Sequence, residues 1–181
     1  MMRQLLAACM GFCLLASLPV LEARATEIPL RKAGLWEMKL VRIGSPFSEM
    51  TMQHCTDATT DKDMSTASSP LSKEICSKRD IQQTATGYAI DSVCSVASVS
   101  VTSHSDVTGD FNSAYTVKTS AHSEGGPAGL PHDMTTTIEA KWLGECKPGQ
   151  KPGDIVMPGG FKLNVKDAEK LKGLIPPPKA N

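Results

Sequence analysis

The sequence has few aromatic residues and no net charge. Phenylalanine, tryptophan and tyrosine make up 4% of its 181 residues, and its 19 basic side chains are balanced by 19 acidic ones. A near-neutral chain offers no electrostatic reason to bind nucleic acid, so we expect no nucleic-acid partner. With so few aromatic side chains to fill a core, covalent support for the fold becomes important.

Motifs that commonly carry chemistry are also missing. There is no Gly-x-Ser-x-Gly sequence of the kind that exposes a nucleophilic serine. The cysteines are not spaced as Cys-x-x-Cys. Neither glycine pair, at Gly125-Gly126 or Gly159-Gly160, is followed by the helix of a phosphate-binding loop. We therefore expect a protein that is not an enzyme and that needs no cofactor.

The first 25 residues have the pattern of an export signal. Arg3 provides a positive charge, residues 5–21 are almost entirely apolar, and Ala23-Arg24-Ala25 supplies small residues where a signal peptidase cuts. The apolar run is just too short to span a membrane, and no later segment is apolar enough to do so. We predict cleavage after Ala25, a periplasmic or secreted mature chain, and no transmembrane segment after cleavage.

The middle of the chain has the alternation of short β-strands. Apolar and polar residues alternate over residues 36–40, which is the period of a half-buried strand. Similar runs follow without long helices between them, which favours an antiparallel sheet over a parallel one. We predict an all-β domain, a single antiparallel meander of about seven strands that forms a barrel-like or strongly curved sheet. The predicted strands are 36–40, 49–55, 75–82, 88–96, 99–107, 111–121 and 134–143.

Two short helices and a change of composition complete the predicted organisation. Thr56 is a suitable N-cap for a helix over 57–64, and Asn164 for a helix over 165–171. After Cys146 the chain becomes rich in lysine, proline and glycine. We therefore predict a signal peptide (1–25), a β domain (26–146), and a C-terminal extension (147–181) with a short helix and a disordered tail.

Four cysteines remain in the mature chain, and they indicate disulfides. They are Cys55, Cys76, Cys94 and Cys146, and an even set in an exported chain allows three pairings. Cys76 and Cys94 lie almost symmetrically about the predicted hairpin turn near Ala85, so we expect them to pair across it. Cys55 is then left to pair with Cys146. A redox or metal site is the alternative, but the exported context favours two structural disulfides.

A methionine-rich strand is the sharpest candidate for a metal site. Met50, Met52 and His54 recur at every second position, so they would lie on one face of a strand. Thioether sulfur and imidazole nitrogen together suit copper, particularly Cu(I). The alternative is that the two methionines pack into the core as adaptable apolar residues.

A second metal hypothesis involves His104, Asp106 and His122 on neighbouring strands. A turn at Gly109-Asp110 would place His104 nearer Tyr115 than His122. We therefore expect that this site does not form and that these side chains lie on the surface.

A curved sheet can also hold a small apolar ligand against its inner face. Trp36, Met38, Tyr115 and Trp142 are the candidate lining residues, and the alternative is that they form only the core. Our functional prediction is a non-enzymatic binding or envelope accessory protein, whose partner is a small apolar ligand or an envelope protein. Copper binding through Met50, Met52 and His54 is the alternative function.

Several sequence motifs together resemble those of a known family. They are RKAGLWE at 31–37, QHC at 53–55, the hairpin between Cys76 and Cys94, and KWLGEC at 141–146. Over residues 29–146 the chain resembles the bacterial exported proteins grouped as domain-of-unknown-function family 3617. Ala33 stands where members of that family often have proline. The resemblance implies a periplasmic or secreted β domain, and it implies no catalytic residues because the family has no established activity.

Overall fold

The computed structural model describes residues 27–43, 49–64, 74–96, 98–126 and 131–167. The predicted signal peptide, the loop at 65–70 and the chain beyond residue 167 lie outside these ranges. The described chain forms a nine-stranded antiparallel sheet that is curled but not closed. The prediction of an all-β fold with a strongly curved sheet is therefore confirmed.

Among the described residues, the regular structure consists of nine strands, one complete helix, one short 3₁₀ segment, and helical residues at 74–75 and 165–167. Helix α1 (Ala58–Met64) follows the second strand, and the 3₁₀ segment (Pro158–Gly160) separates the last two. The strands are β1 (Gly34–Ile43), β2 (Glu49–Thr56), β3 (Cys76–Thr84), β4 (Gly87–Val96), β5 (Val99–Asp110), β6 (Ala114–Glu124), β7 (Asp133–Gly144), β8 (Asp154–Val156) and β9 (Lys162–Asn164).

The strand order in the sheet is β3-β4-β5-β6-β7-β1-β2-β8-β9. Strands β3 to β7 form the predicted meander, in which each strand pairs with the next one along the chain. Strand β1 then pairs with β7, so the β1–β2 hairpin extends the sheet on that side. This arrangement places β1 between two partners and makes it the most buried strand.

Two further strands follow Cys146, where the sequence predicted none. Strand β8 pairs with β2, and β9 pairs with β8. The backbone N–H of Gly153 also donates a hydrogen bond of 2.8 Å to the carbonyl of Cys55, which ties this segment to β2. Strands of three residues between glycine and proline are too short to show an alternation, so the sequence pattern does not reveal them.

Of the two predicted helix caps, the structure confirms Asn164 and replaces Thr56 with Asp57. Helix α1 is capped by Asp57, not by Thr56, which belongs to β2. The Asp57 carboxylate accepts a hydrogen bond of 2.8 Å from the backbone N–H of Thr60, and the Thr60 hydroxyl accepts one of 3.0 Å from the N–H of Asp57. This reciprocal arrangement is a capping box. At the next predicted helix, the Asn164 side chain accepts a bond from the N–H of Lys166, as the sequence predicted.

The turn between β5 and β6 lies later than the sequence predicted. Gly109 is inside β5 with a φ of +109°, and a side chain there would lie 2.6 Å from the carbonyl oxygen of Ala114. The turn follows Asp110, whose carboxylate accepts bonds of 2.9 Å from the Asn112 N–H and the Ser113 hydroxyl. The predicted turn at Gly109-Asp110 is therefore wrong, because this glycine serves a close strand approach.

Two disulfides join the strands in the pairing that the hairpin symmetry predicts. Cys76–Cys94 links β3 to β4 across 18 residues, and Cys55–Cys146 links β2 to the segment just after β7 across 91. Leu35 of β1 pairs with both Cys55 and Gly144, and it is 2% exposed. The long-range disulfide therefore connects the chain on the two sides of β1. In the part of the chain described, no helix is both long and apolar enough to cross a membrane.

We expect loss of the long-range disulfide to destabilise the protein more than loss of the hairpin disulfide. In the loop-entropy model the Cys55–Cys146 bridge contributes about 4–5 kcal/mol to the free energy of unfolding, and the Cys76–Cys94 bridge about 3 kcal/mol. Urea unfolding of the double variants Cys55→Ser/Cys146→Ser and Cys76→Ser/Cys94→Ser measures both contributions. A greater loss in the hairpin variant would contradict the expectation.

Candidate functional site

The side chains of strand β1 point alternately to an apolar face and a polar face of the sheet. Trp36, Met38 and Leu40 are at most 9% exposed and lie on one side of β1, because side chains alternate along a strand. We call the side that carries them the apolar face, and the opposite side, which carries Glu37 and Lys39, the polar face. Their partners on the apolar face are His54, Met52 and Met50 of β2 and Trp142, Ala140 and Ile138 of β7.

The four predicted ligand-lining residues come together on the apolar face. Trp36 and Met38 form the buried core with Ala140, and Tyr115 and Trp142 pack against it. The ring centroids of Trp36 and Tyr115 are 5.6 Å apart. Trp36 is fully buried, so it acts as a core residue here. Tyr115 and Trp142 are half-buried and retain some accessible surface.

Both tryptophans also fix the chain that precedes β1. The indole N–H of Trp36 donates a hydrogen bond of 2.8 Å to the carbonyl of Lys32, and that of Trp142 donates one of 3.1 Å to the carbonyl of Ala33. The Lys32 ammonium lies 3.6 Å from the centroid of the Trp142 ring, a cation–π contact. These contacts hold the residues just before β1 against the sheet.

A buried ion pair covers one end of the apolar face. The Arg31 guanidinium contacts the Asp61 carboxylate of α1 at 2.5 Å, and the two side chains are 8% and 5% exposed. The backbone N–H of Arg31 donates to the same carboxylate at 2.8 Å. The guanidinium also lies 3.6 Å from the sulfur of Met38 and 5.8 Å from the centroid of the Trp36 ring. No local pattern predicts this pair, because its members are 30 residues apart.

His54 is a half-buried side chain whose ring nitrogens have no partner among the described residues. It lies opposite Trp36 on the apolar face. Both ring nitrogens are shielded from solvent, and neither has a hydrogen-bond partner among the described residues. Burial, followed by the nearby charge of Arg31, lowers the pKa of His54 from 6.5 to about 4. The imidazole is therefore neutral at physiological pH, and its unmet hydrogen bonds cost free energy unless a ligand, ion or water supplies a partner.

The predicted metal residues Met50, Met52 and His54 lie on the apolar face, but they do not all converge. Four residues of extended strand separate the Cα atoms of Met50 and His54 by about 13 Å, which is too far for one ion to bridge. Met52 and His54 are neighbours, and Met38 lies opposite Met52. The register therefore places Met52, Met38 and His54 at adjacent positions on the apolar face.

His104 and His122 lie close together on the polar face, so the predicted register is wrong. His104 pairs with Ser120, two residues from His122, because the β5–β6 turn is later than expected. The Nδ1 atom of His104 is 2.8 Å from Asp91, and that of His122 is 2.7 Å from Asp133. These hydrogen bonds raise the pKa of both exposed histidines.

The polar-face histidines border a shallow depression of about 450 Å³. Asp106, the third member of the predicted site, lies 3.5 Å from Nε2 of His104. Within the described ranges, no group of three histidine, cysteine, aspartate or glutamate side chains is placed to hold a metal ion. The aspartates orient the two imidazoles on the surface, as the sequence predicted for these side chains.

The apolar face continues across β3 to β6 without an extensive cover from another described helix or strand. Helix α1 packs beside β2, so β7 and β1 lie between this end of the sheet and strands β3 to β6. Phe111 stacks on Tyr115 at 5.0 Å and approaches Tyr88 edge-on at 6.2 Å. The apolar side chains on this part of the face are Ile81, Tyr88, Ile90, Val101, Val107 and Val117.

Paired hydroxyl groups interrupt this apolar surface. The Ser92 and Ser103 hydroxyl oxygens are 2.8 Å apart, and those of Ser105 and Thr119 are also 2.8 Å apart. Each pair bridges two neighbouring strands. The apolar face therefore combines apolar side chains with groups that can donate and accept hydrogen bonds.

Comparison with known proteins identifies a family but no characterised relative. Residues 31–146 match the model of a family described as protein of unknown function (DUF3617), and this match covers more than half of the chain. No curated protein and no solved structure shows a significant match.

We expect acidification to destabilise the protein through His54. Its pKa is lowered on folding, so between pH 6.5 and about 4 the unfolded chain binds a proton that the folded chain does not. The contribution of neutral His54 to the free energy of unfolding is complete above pH 6.5. On the order of 3 kcal/mol of it is lost as the pH falls to about 4. Urea unfolding at pH 7 and pH 4.5 measures it, and His54→Leu should reduce the difference.

His104→Leu is the matched control for this measurement. The pKa of His104 is raised, so its contribution to stability has the opposite pH dependence. That variant should retain the loss of stability on acidification. Equal pH dependence in the wild type and His54→Leu would contradict the role assigned to His54.

Proposed function

Since this chain belongs to the DUF3617 family of proteins of unknown function, we propose that it is a non-enzymatic binding domain of the cell envelope or the secreted fraction. Its ligand is a small apolar molecule held on the apolar face. The observation that carries the proposal is the amphipathic, open sheet, whose apolar face has no extensive cover over β3 to β6 within the described residues.

The disulfides support a location outside the cytoplasm. Two disulfides hold strands that are distant in sequence, and such bonds persist in oxidising compartments. The export signal predicted for residues 1–25 agrees with this location. An envelope accessory protein that binds its ligand after export is consistent with both observations.

The strand pattern supports an apolar ligand. A sheet with one apolar and one polar face normally buries the apolar face against a second layer. Near β1 that role falls to the segment before β1 and to α1, through the Arg31–Asp61 pair. Across β3 to β6 a bound ligand would supply the missing contacts. Tyr88, Phe111 and Tyr115 provide an aromatic surface there.

The hydrogen bonds of the hydroxyl groups support a non-enzymatic role. Four hydroxyl side chains of the apolar face form two pairs, Ser92 with Ser103 and Ser105 with Thr119. The histidines with carboxylate partners lie on the polar face. Among the described residues, no serine or threonine hydroxyl bonds to a histidine ring nitrogen, which is the contact that activates such a nucleophile.

A charge introduced on the apolar face should weaken ligand binding. Ile90 points to the apolar face of β4, and its neighbour Ala89 points to the polar face. We expect Ile90→Glu to weaken binding of a fluorescent apolar probe by at least about tenfold, because a carboxylate resists burial beside an apolar ligand. Ala89→Glu adds the same charge to the same strand and should bind normally.

The affinity of each variant is measured by displacing the bound probe with lipids that co-purify with the protein. Thermal unfolding checks that both variants fold. Equal probe binding by the two folded variants, or none by the wild type, would contradict a ligand site on the apolar face.

Cu(I) binding is the second candidate function, and the unpartnered imidazole of His54 favours it. His54 lies beside Met52, and Met52 lies opposite Met38, so one nitrogen and two sulfur atoms share this part of the apolar face. Soft sulfur and imidazole ligands select Cu(I). The positive charge of Arg31 is compensated by Asp61, which lessens its repulsion of a monovalent cation.

We expect the wild type to bind one equivalent of Cu(I) in competition with a chromogenic chelator, and Met52→Leu/His54→Leu to lose it. Binding should vary little between pH 5 and pH 7, because the pKa of His54 is about 4 and no proton competes for its nitrogen. Met134→Leu, which alters an exposed methionine, is the control. Absence of copper from the wild type would reject this function.

A further inference from the structure

Charged side chains are divided between the two faces of the sheet. In strands β1 to β7 every carboxylate lies on the polar face, and so does every lysine. The apolar face of the same strands carries two arginines, Arg42 of β1 and Arg79 of β3, and no acidic residue. The carboxylates of the polar face are Glu37, Glu49, Asp80, Asp91, Asp106, Asp110, Glu124, Asp133 and Glu139.

Arg42 is a cation that has no partner among the described residues. It is half-buried and lies two positions beyond the buried Leu40 on the same face. Its Nε atom is shielded from solvent, and its guanidinium has no hydrogen-bond or ion-pair partner among the described residues. A sheltered, unpaired guanidinium is costly, and a bound anion would remove much of this cost.

A row of hydroxyl groups runs across the sheet from Arg42. Thr136 lies opposite Arg42, Thr119 opposite Thr136, and Ser105 opposite Thr119. The hydroxyls of Ser105 and Thr119 are hydrogen-bonded to each other and retain further donor and acceptor capacity. The guanidinium and the hydroxyl row together offer several donors to a negatively charged group.

The neighbouring row on the same face is entirely apolar. It crosses five strands, β1, β7, β6, β5 and β4, and therefore spans roughly 19 Å. All its members are buried or half-buried. They are Leu40, Ile138, Val117, Val107 and Tyr88. A polar row with a cation thus runs alongside an apolar row long enough for an extended alkyl chain.

We propose that the ligand is a single-chain amphiphile with a carboxylate head group, bound by Arg42 and the hydroxyl row and with its alkyl chain along the apolar row. This inference rests on the proposed function and adds the chemical class of the ligand. A planar guanidinium binds a planar carboxylate through two parallel hydrogen bonds. One unpaired guanidinium also matches one negative charge. The acidic polar face would repel the same head group.

Three probes with the same alkyl chain and different head groups test the proposal. Calorimetric titration of the full, oxidised chain compares dodecanoate and dodecyl phosphate below their micelle concentrations with dodecanol below its solubility limit. We expect dodecanoate to bind more tightly than dodecanol by on the order of tenfold or more, the effect of one charge-assisted contact. Arg42→Gln should remove this preference, because it weakens the binding of dodecanoate far more than the binding of dodecanol.

Lys39→Gln is the matched control, because it removes one positive charge from the same strand on the polar face. It should keep the preference for dodecanoate. Arg42→Lys retains the charge without the bidentate geometry, so it should show an intermediate preference for dodecanoate. It replaces Arg42→Gln in the test if that variant folds poorly.

The outcomes separate this inference from the proposed function. Equal affinity for dodecanoate and dodecanol in the wild type would overturn the head-group assignment and leave the apolar site in place. Stronger binding of dodecyl phosphate than of dodecanoate would overturn the choice of a carboxylate. No binding of any probe would overturn both proposals. Loss of the preference in Arg42→Gln, with retention in Lys39→Gln, would support the assignment.

Discussion

The pairing of β1 with β7 is the contact on which the rest of the sheet depends. Strand β1 precedes the β3–β7 meander and pairs with its last strand, so this contact joins parts of the chain that are far apart. Its register sets Trp36 opposite Trp142 and Met38 opposite Ala140, which builds the core on one side of the sheet. The same register brings Cys146 near Cys55, and the long-range disulfide links them covalently.

Among the described residues, two side chains of the apolar face have shielded polar atoms without a partner. The Trp36 indole bonds to a carbonyl, and Arg31 pairs with Asp61. The imidazole of His54 and the Nε atom of Arg42 have none among the described residues. His54 lies opposite Trp36, whereas Arg42 is six residues further along β1, about 20 Å away. The copper and amphiphile hypotheses therefore concern different ends of one face.

The sequence predicted the architecture best where the pattern is local. The alternation of apolar and polar residues marked the regions of β1 to β7, and the symmetry of Cys76 and Cys94 about their turn indicated the disulfide pairing. The pattern led to a wrong prediction where one residue type can serve either in a turn or within a strand. Gly109 resembles a turn residue but lies within β5, since its missing side chain admits Ala114. The resulting shift of register is why His104 and His122 lie closer than predicted.

The sequence by itself determined which residues share a face, because alternation is a property of each strand alone. It therefore grouped Trp36 with Met38 and Met52 with His54 without knowledge of the sheet order. Only the tertiary structure decided which strands are neighbours. That order places His54 opposite Trp36, brings Arg31 to Asp61, and puts Thr136 and Thr119 beside Arg42. Such contacts follow from the packing of the whole sheet, which no local pattern encodes.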